Sequence, residues 1–192
     1  MMQRWLMAIL ILLAPLAGCT SDSNELEKIP EFTVLTDDET VSTSDFQNQA
    51  YVIVFSAQWC GTPCHNNMHN LNLTSARMAE QGFDIEIEVL VVSTDIDEEP
   101  NGVTLSMWKD SVDEYDDDKE INQTLEYTFS RVDPSNNFAS EMGIDAPGTV
   151  IFVNYLGYET HRQIGSFGAY NDQATLDIIE SHWLNAAVPV VE

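Results

Sequence analysis

The most constraining feature of this sequence is an apolar run that leads directly into two cysteines. Residues 51–55 (YVIVF) are apolar throughout and have the length of a strand that is covered on both faces. Cys60-Gly61-Thr62-Pro63-Cys64 follows, and the pattern from Pro63 to Gln81 predicts a helix that ends at Gly82. The start of a helix offers unpaired amide hydrogens and a partial positive charge. Thiols in such places have pKa values of roughly 3.5 to 7.5, so the sequence predicts reactive cysteines.

The sequence allows two positions for Cys60 relative to this helix. If both cysteines are helical, their Cα atoms lie roughly 6 Å apart, which is within the range of a disulfide. If Thr62 instead caps the helix and Pro63 takes its first position, Cys60 lies on the preceding loop, farther from the helix dipole. Both arrangements stay open at this stage.

The rest of the chain predicts alternating strands and helices, followed by a hairpin and a closing helix. This order indicates an α/β sandwich around a mixed sheet, within one domain over residues 29–188. The predicted strands are 85–92, 125–132, 149–153 and 158–164, and the predicted helices are 104–115, 138–142 and 174–187. Residues 40–46 are interpreted as a turn and a short element before the first core strand.

The first residues have the pattern of an export signal. A weakly basic start is followed by the apolar segment Trp5 to Leu16, which is short for a membrane span and typical of a signal peptide. Leu16-Ala17-Gly18-Cys19 resembles the lipobox of exported lipoproteins, in which the cysteine takes a lipid after cleavage. We therefore predict a signal peptide over 1–18, lipidation at Cys19, and a flexible tether over 19–28. The predicted location is extracytoplasmic, on the membrane.

The charge balance excludes several classes of partner. The 192 residues include 32 acidic and 7 basic ones, for a net charge of −25. Such a chain has no basic footprint for nucleic acid, and its folded domain would be repelled by an anionic membrane. The acidic stretches Asp95–Glu99 and Asp113–Glu120 are interpreted as solvated surface.

The segments Pro30–Phe32, Val41–Phe46 and Val52–Cys60 together resemble the redoxin family, and within it the membrane-anchored, TlpA-like thiol–disulfide oxidoreductases. The resemblance covers about residues 29–187 and implies a thioredoxin-like sandwich, a central mixed sheet with helices on both faces. It implies that Cys60 attacks, that Cys64 resolves the mixed disulfide, and that the partners are protein thiols and disulfides, with no cofactor. It also implies a cis-proline facing the pair, at Pro147. The implied neighbours of the pair are Trp59, Gly61, Thr62, Pro63 and Pro147.

Three departures from that family pattern stand in the sequence. The cysteines are separated by three residues rather than the usual two. Val54 stands where thioredoxin has a buried acid, and Asn67 stands where many TlpA-like proteins have a glutamate. Gly148 adds a residue to the proline loop.

The cysteine spacing also resembles that of the Sco-type copper chaperones, which use Cys-x-x-x-Cys and a distant histidine. Two thiolates and an imidazole suit Cu(I), so copper binding by Cys60, Cys64 and His161 is the alternative function. His161 does not match the position of the Sco histidine. We expect His182 on the surface of the last helix, and His65 and His69 as a solvated pair on one helix face.

Overall fold

The computed structural model describes residues 26–83, 86–95, 99–133, 135–136 and 138–188. The predicted signal peptide over 1–18, the lipidation site Cys19 and most of the tether over 19–28 lie outside the described residues. Within the described part of the chain, no helix combines the length and the apolar composition needed to cross a bilayer.

Seven strands, four α-helices and three short 3-10 helices make up the described fold. The strands are β1 (Thr33–Leu35), β2 (Thr40–Ser42), β3 (Tyr51–Ser56), β4 (Val89–Ser93), β5 (Thr128–Val132), β6 (Thr149–Val153) and β7 (Glu159–Ile164). The helices are α1 (Thr62–Glu80), α2 (Leu105–Asp113), α3 (Phe138–Glu141) and α4 (Gln173–Ala187).

All seven strands form one mixed sheet in the order β2-β1-β5-β4-β3-β6-β7. The neighbours β3 and β4 are parallel, as are β4 and β5, and the remaining pairs are antiparallel. Three interior strands, β3, β4 and β6, are buried along their whole length, which explains their nearly continuous apolar runs.

Helices cover both faces of the sheet, so the predicted α/β sandwich is confirmed. On one face the core includes Met68 of α1, Trp108 of α2 and Trp183 of α4. On the other face Phe138 of α3 stacks on Phe32 from the N-terminal segment, with 4.6 Å between the ring centroids. Burial of large side chains such as these is a main source of hydrophobic stabilisation in a fold of this kind.

Three strands differ from the sequence-based expectation. β1 was not predicted, because three residues are too few to show a period. The expected strand 125–132 begins only at Thr128, since the amide of Leu125 donates to the carboxylate of Asp113 at 2.6 Å instead of to a neighbouring strand. β4 begins at Val89, four residues after its predicted start, and the other predicted strands and helices lie within two residues of their predicted bounds.

Three asparagines of α1 attach the loop before α4 to the helix. The Asn67 side chain donates to the carbonyl of Gly165 at 3.0 Å and accepts from the amide of Phe167 at 3.0 Å. The Asn70 side chain makes the same kind of pair, with the carbonyl of Ala169 and the amide of Asn171.

Asn66 completes this group, which we call the asparagine clasp (Asn66, Asn67 and Asn70). Its side chain donates to the carbonyl of Gly168 and accepts from the hydroxyl of Tyr115. All three side chains are buried, so each bond satisfies groups that have little access to water. The clasp therefore fixes residues 165–171 against the start of α1.

We predict that Asn67→Ala lowers the free energy of unfolding by about 1–3 kcal/mol, because it leaves the Phe167 amide and the Gly165 carbonyl without their partner. The matched control is Asn72→Ala, which removes one bond to the Gln123 side chain on a half-buried part of the same helix. Urea denaturation monitored by circular dichroism measures both. An Asn67→Ala cost no larger than that of the control would contradict the role given to the clasp.

Candidate active site

The two cysteines form a disulfide at the start of α1. Their Cα atoms are 5.8 Å apart, within the usual range of a disulfide. The helix begins at Thr62 with Gly61 as its cap, and Pro63 occupies its first turn, where a missing amide hydrogen costs nothing. Cys60 thus lies on the loop before the helix and Cys64 lies within the first turn. Of the two arrangements left open, the loop position of Cys60 is the one observed, with Gly61 rather than Thr62 as the cap.

The two sulfurs differ in their access to solvent. Cys64 is buried, with 1% of its surface exposed, whereas Cys60 is half-buried. Gly148 lies against the inner side of the pair: a Cβ built on it would be 4.0 Å from the Cys64 sulfur and 3.9 Å from the Cα of Gly165. A reagent in solution can therefore approach the disulfide from the Cys60 side.

The loop that contains Pro147 lies beside the pair but without the expected cis bond. None of the peptide bonds in the described residues is cis, so the expectation for the Ala146–Pro147 bond was wrong. The next residue, Gly148, adopts a φ of +100° that favours glycine, and its amide donates to the carbonyl of Phe55 at 2.8 Å. The additional glycine, rather than a cis bond, turns the chain into β6.

Trp59 is held in place by a carboxylate that the sequence analysis assigned to solvated surface. Its indole N–H donates to Asp95 at 3.0 Å, and the amide of Gln58 donates to the other oxygen of Asp95 at 3.3 Å. The Trp59 ring itself is 63% exposed. One signal in the sequence could have found this contact, because Asp95 follows β4 and the carboxyl ends of the parallel strands β3 and β4 meet at one edge.

A cavity of about 530 Å³ lies beside the pair, between Trp59 and the Pro147 loop. Its charged lining is acidic, from Asp95 and Asp145, and its apolar lining includes Ile144. Ile164, the last residue of β7, pairs with Thr149 next to Gly148 and is 76% exposed. A partner that reaches Cys60 would contact both apolar side chains and carboxylates.

The positions where the family pattern places acids are buried and uncharged here. Val54 packs in the core, and Asn67 is used by the clasp. The nearest histidine in the chain, His65, packs its ring edge-on against Tyr115 at 4.8 Å. Burial lowers the pKa of His65, and the nearby His69 and Lys119 lower it further, so its imidazole is neutral at pH 7.

One turn further along α1, His69 is buried rather than solvated. Its Nδ1 lies 3.1 Å from the carboxylate of Asp116, and its Nε2 lies 2.7 Å from the carbonyl of Val112, which can only accept a hydrogen bond. Asp116 is also fully buried and accepts from the amide of Gln123 and the hydroxyl of Tyr170. The expectations of a solvated His69 and of a wholly solvated 113–120 stretch were therefore wrong.

His161 is engaged with another histidine. Its ring stacks on that of His182 with 3.4 Å between centroids, so His182 is half-buried and not on the helix surface as expected. Burial lowers the pKa of His161, against a smaller opposite effect of Glu159, while burial and His161 together lower the pKa of His182. Among the described residues, no three His, Cys, Asp or Glu side chains are grouped to hold a metal ion. His161 therefore does not join the cysteine pair in such a group.

The redoxin family profile matches residues 25–177, most of the chain. The chain belongs to the redoxin family. No curated protein matches the chain at a significant level. Family membership, the thioredoxin-like fold and the bonded cysteine pair identify this redoxin as a thiol–disulfide oxidoreductase.

Three solved structures with 14–20% sequence identity to this redoxin resemble it in fold. A protein assigned as the thiol:disulfide interchange protein DsbE from Chlorobium tepidum has a TM-score of 0.56 and 20% identity, over 84% of this chain and 96% of that one. The thioredoxin domain of a thiol-disulfide oxidoreductase from Bacteroides vulgatus has a TM-score of 0.55 and 16% identity, over 81% and 94%. A SCO1/SenC family lipoprotein from Bacillus anthracis has a TM-score of 0.53 and 14% identity, over 82% and 94%.

We predict that Asp95→Ala releases the Trp59 ring. Solvent exchange of the Trp59 indole proton should become faster, and KM for a protein disulfide should rise by about three- to tenfold, since a typical hydrogen bond has a net value of about 0.5–1.5 kcal/mol. Indole resonances in proton–nitrogen NMR spectra and steady-state kinetics measure the two effects. The matched control is Asp145→Ala, which removes another carboxylate that lines the cavity. If both variants change the Trp59 resonance equally, Asp95 does not position the ring.

Proposed function

We propose that this redoxin is a TlpA-like, lipid-anchored oxidoreductase outside the cytoplasm. In this proposal it exchanges the Cys60–Cys64 disulfide with cysteines of a protein partner. The observation that carries the proposal is the pair itself, with one accessible sulfur and one buried sulfur at the start of a helix. A disulfide that closes so short a loop constrains the unfolded chain little, so stability alone is a weak reason for its presence.

The location outside the cytoplasm is proposed from the sequence. The lipobox that ends at Cys19 and the apolar segment before it are typical of exported lipoproteins. Disulfides form and persist in that compartment, which suits a protein whose working group is a disulfide.

The exchange consists of two successive thiolate attacks, in which the electrons lost by one protein are gained by the other. In the direction that oxidises the partner, a partner thiolate attacks the Cys60 sulfur, the bond to Cys64 breaks, and Cys64 leaves as a thiolate. A second partner thiolate then attacks the partner sulfur of the mixed disulfide and releases Cys60. The partner loses two electrons, the pair gains them, and protons from water can neutralise the two thiolates. Reduction of a partner runs the same steps in reverse, with Cys60 attacking first.

The acidic and apolar lining around the pair supports a protein partner rather than an anionic small molecule. Trp59, which precedes Cys60, and Ile164, which pairs with the residue after Gly148, both expose apolar surface, as is common at sites of protein contact. Asp95 and Asp145 would repel an anionic substrate such as a carboxylated thiol.

We predict that Cys64→Ala traps a mixed disulfide through Cys60, because the sulfur that would resolve it is missing. Cys60→Ala should trap none, since Cys64 is buried. In the reduced variants, alkylation of Cys60 by a maleimide should be at least about tenfold faster than alkylation of Cys64, because the buried sulfur is shielded. Non-reducing electrophoresis and mass spectrometry of alkylated protein measure these outcomes. Faster alkylation of Cys64 would reverse the assigned roles.

Copper binding is the second candidate function, favoured by the Cys-x-x-x-Cys spacing, since two thiolates suit Cu(I). The position of His161 in a stack with His182 speaks against the three-ligand site expected for a copper chaperone.

Titration of the reduced protein with Cu(I) against a competing chelator separates the two candidates. We expect weak binding that His161→Ala leaves unchanged, together with measurable reduction of a protein disulfide. Tight one-to-one binding that is lost in His161→Ala would favour the copper chaperone.

A further inference from the structure

The cavity beside the disulfide is lined by residues that adjoin both cysteines. Trp59 lines it and directly precedes Cys60 in the chain. Pro147 also lines it, and the residue that follows, Gly148, lies against the Cys64 sulfur. A partner segment whose cysteine reaches Cys60 therefore brings its neighbouring residues to this cavity.

The charged groups in the described lining are all carboxylates. They are Asp95 and Asp145, and no lysine, arginine or histidine joins them among the described residues of the lining. Both lie at one edge of the sheet, because Asp95 follows β4 and Asp145 precedes β6, whose first residue pairs with Phe55 near the end of β3. Arg131 and Asp95 both border a separate cavity of about 10 Å³, so this basic side chain stays outside the larger one.

An exposed indole ring adds a second group that binds cations. Trp59 is 63% exposed, and its N–H donates to Asp95 at 3.0 Å, which holds the ring beside a carboxylate. The π electrons give the face of an aromatic ring a negative character, and tryptophan attracts a cation more strongly than the other aromatic residues do. The ring and the two aspartates thus favour the same kind of ligand.

Arginine fits this combination better than lysine. Its planar guanidinium stacks on aromatic rings, forms paired hydrogen bonds with a carboxylate, and is less strongly hydrated than the ammonium group of lysine. Val132, Ala139 and Ile144 supply apolar lining that suits the aliphatic part of an arginine side chain. The volume of about 530 Å³ is within the range of about 300–1,000 Å³ that is typical of ligand sites.

We propose that this cavity receives an arginine side chain that flanks the reactive cysteine of the partner protein. The proposal rests on the disulfide exchange of the proposed function and names the kind of protein segment that takes part in it. The guanidinium lies against the Trp59 ring and pairs with Asp145, while Asp95 holds the ring. A partner with glutamate at the same place is repelled by both carboxylates.

The test uses capped five-residue peptides with a central cysteine that is flanked on both sides by arginine, lysine, glutamine or glutamate. The peptide thiolate attacks the Cys60 sulfur of the full-length protein, a mixed disulfide forms, and Cys64 leaves as a thiolate. Acid quenching and mass spectrometry give the rate constant of this step. Flanking charge also changes the peptide thiol itself, so the arginine-to-glutamine rate ratio is compared between the parent protein and each variant, where that effect cancels.

We expect Asp145→Asn and Trp59→Leu each to lower this ratio by about two- to fivefold, the effect of losing one exposed ion pair or one exposed cation–π contact. The effect of Asp145→Asn should shrink in 1 M salt, where the Debye length is about 3 Å. In the parent protein the lysine peptide should react more slowly than the arginine peptide and the glutamate peptide slowest of all.

Two matched variants serve as controls, and both should leave the ratio unchanged. Glu126→Gln removes an exposed carboxylate that precedes β5, at the opposite end of the parallel strands from the disulfide. Ile164→Ala shortens an exposed apolar side chain that does not line the cavity.

The proposal is wrong if Asp145→Asn and Trp59→Leu leave the ratio of the parent protein unchanged. It is also wrong if Glu126→Gln lowers the ratio as much as Asp145→Asn, because the net charge rather than the cavity then selects the peptide. In either case, exchange with the glutamine peptide would leave the redox function standing.

Binding of the same peptides with serine in place of cysteine tests the cavity without any exchange, through the indole resonance of Trp59. Tighter binding of the arginine peptide than of the glutamine peptide, in a protein that exchanges with none of the cysteine peptides, would refute the redox function and keep the arginine site. Equal binding of the two serine peptides would overturn the arginine site.

Discussion

The site depends on the hydrogen bonds by which Asn66, Asn67 and Asn70 hold the loop before α4 against α1. That loop contains Gly165, whose amide donates to the carbonyl of Gly148, and Gly148 in turn lies against the Cys64 sulfur. The backbone at Gly148 thus packs against the inner side of the disulfide, and the buried side-chain amides of α1 hold in place the loop to which Gly148 is bonded. Buried polar bonds of this kind are costly to break, because water does not replace the lost partner, so they specify one arrangement of the loop.

The sequence predicted those parts of the fold that follow from local patterns. Residues 51–55 form a strand that is buried on both faces because every one of them is apolar. The helix α1 follows because its apolar residues recur with helical spacing. The same reasoning located Cys60 and Cys64 between a buried strand and a helix, with a separation that permits a disulfide. Whether Cys60 lies in the helix could not be decided from spacing alone, because both geometries bring the sulfurs together.

The parts that the sequence did not predict depend on side chains that meet from distant segments. Asp95 and Asp116 are both in acidic stretches, yet one holds the Trp59 indole and the other is buried against His69. The way in which α2, α4 and the strand ends pack together decides which carboxylates are removed from contact with water. His161 likewise meets His182 because β7 and α4 pack together, a contact that no spacing in the chain expresses. Tertiary partners, rather than residue types, determined these outcomes.

With valine at position 54 and asparagine at position 67, neither position supplies a carboxylate to exchange protons with the pair. The start of α1 remains as a source of stabilisation for a thiolate, because its unpaired amides and partial positive charge lie at this end of the helix. Cys64 lies inside the first turn, while Cys60 lies on the loop before it. When an external thiolate opens the disulfide at Cys60, the negative charge develops on Cys64, where the helix start favours it and burial in the core disfavours it. Solvent access is therefore the observation that assigns the roles, with Cys60 as the sulfur that exchanges and Cys64 as the sulfur that is released.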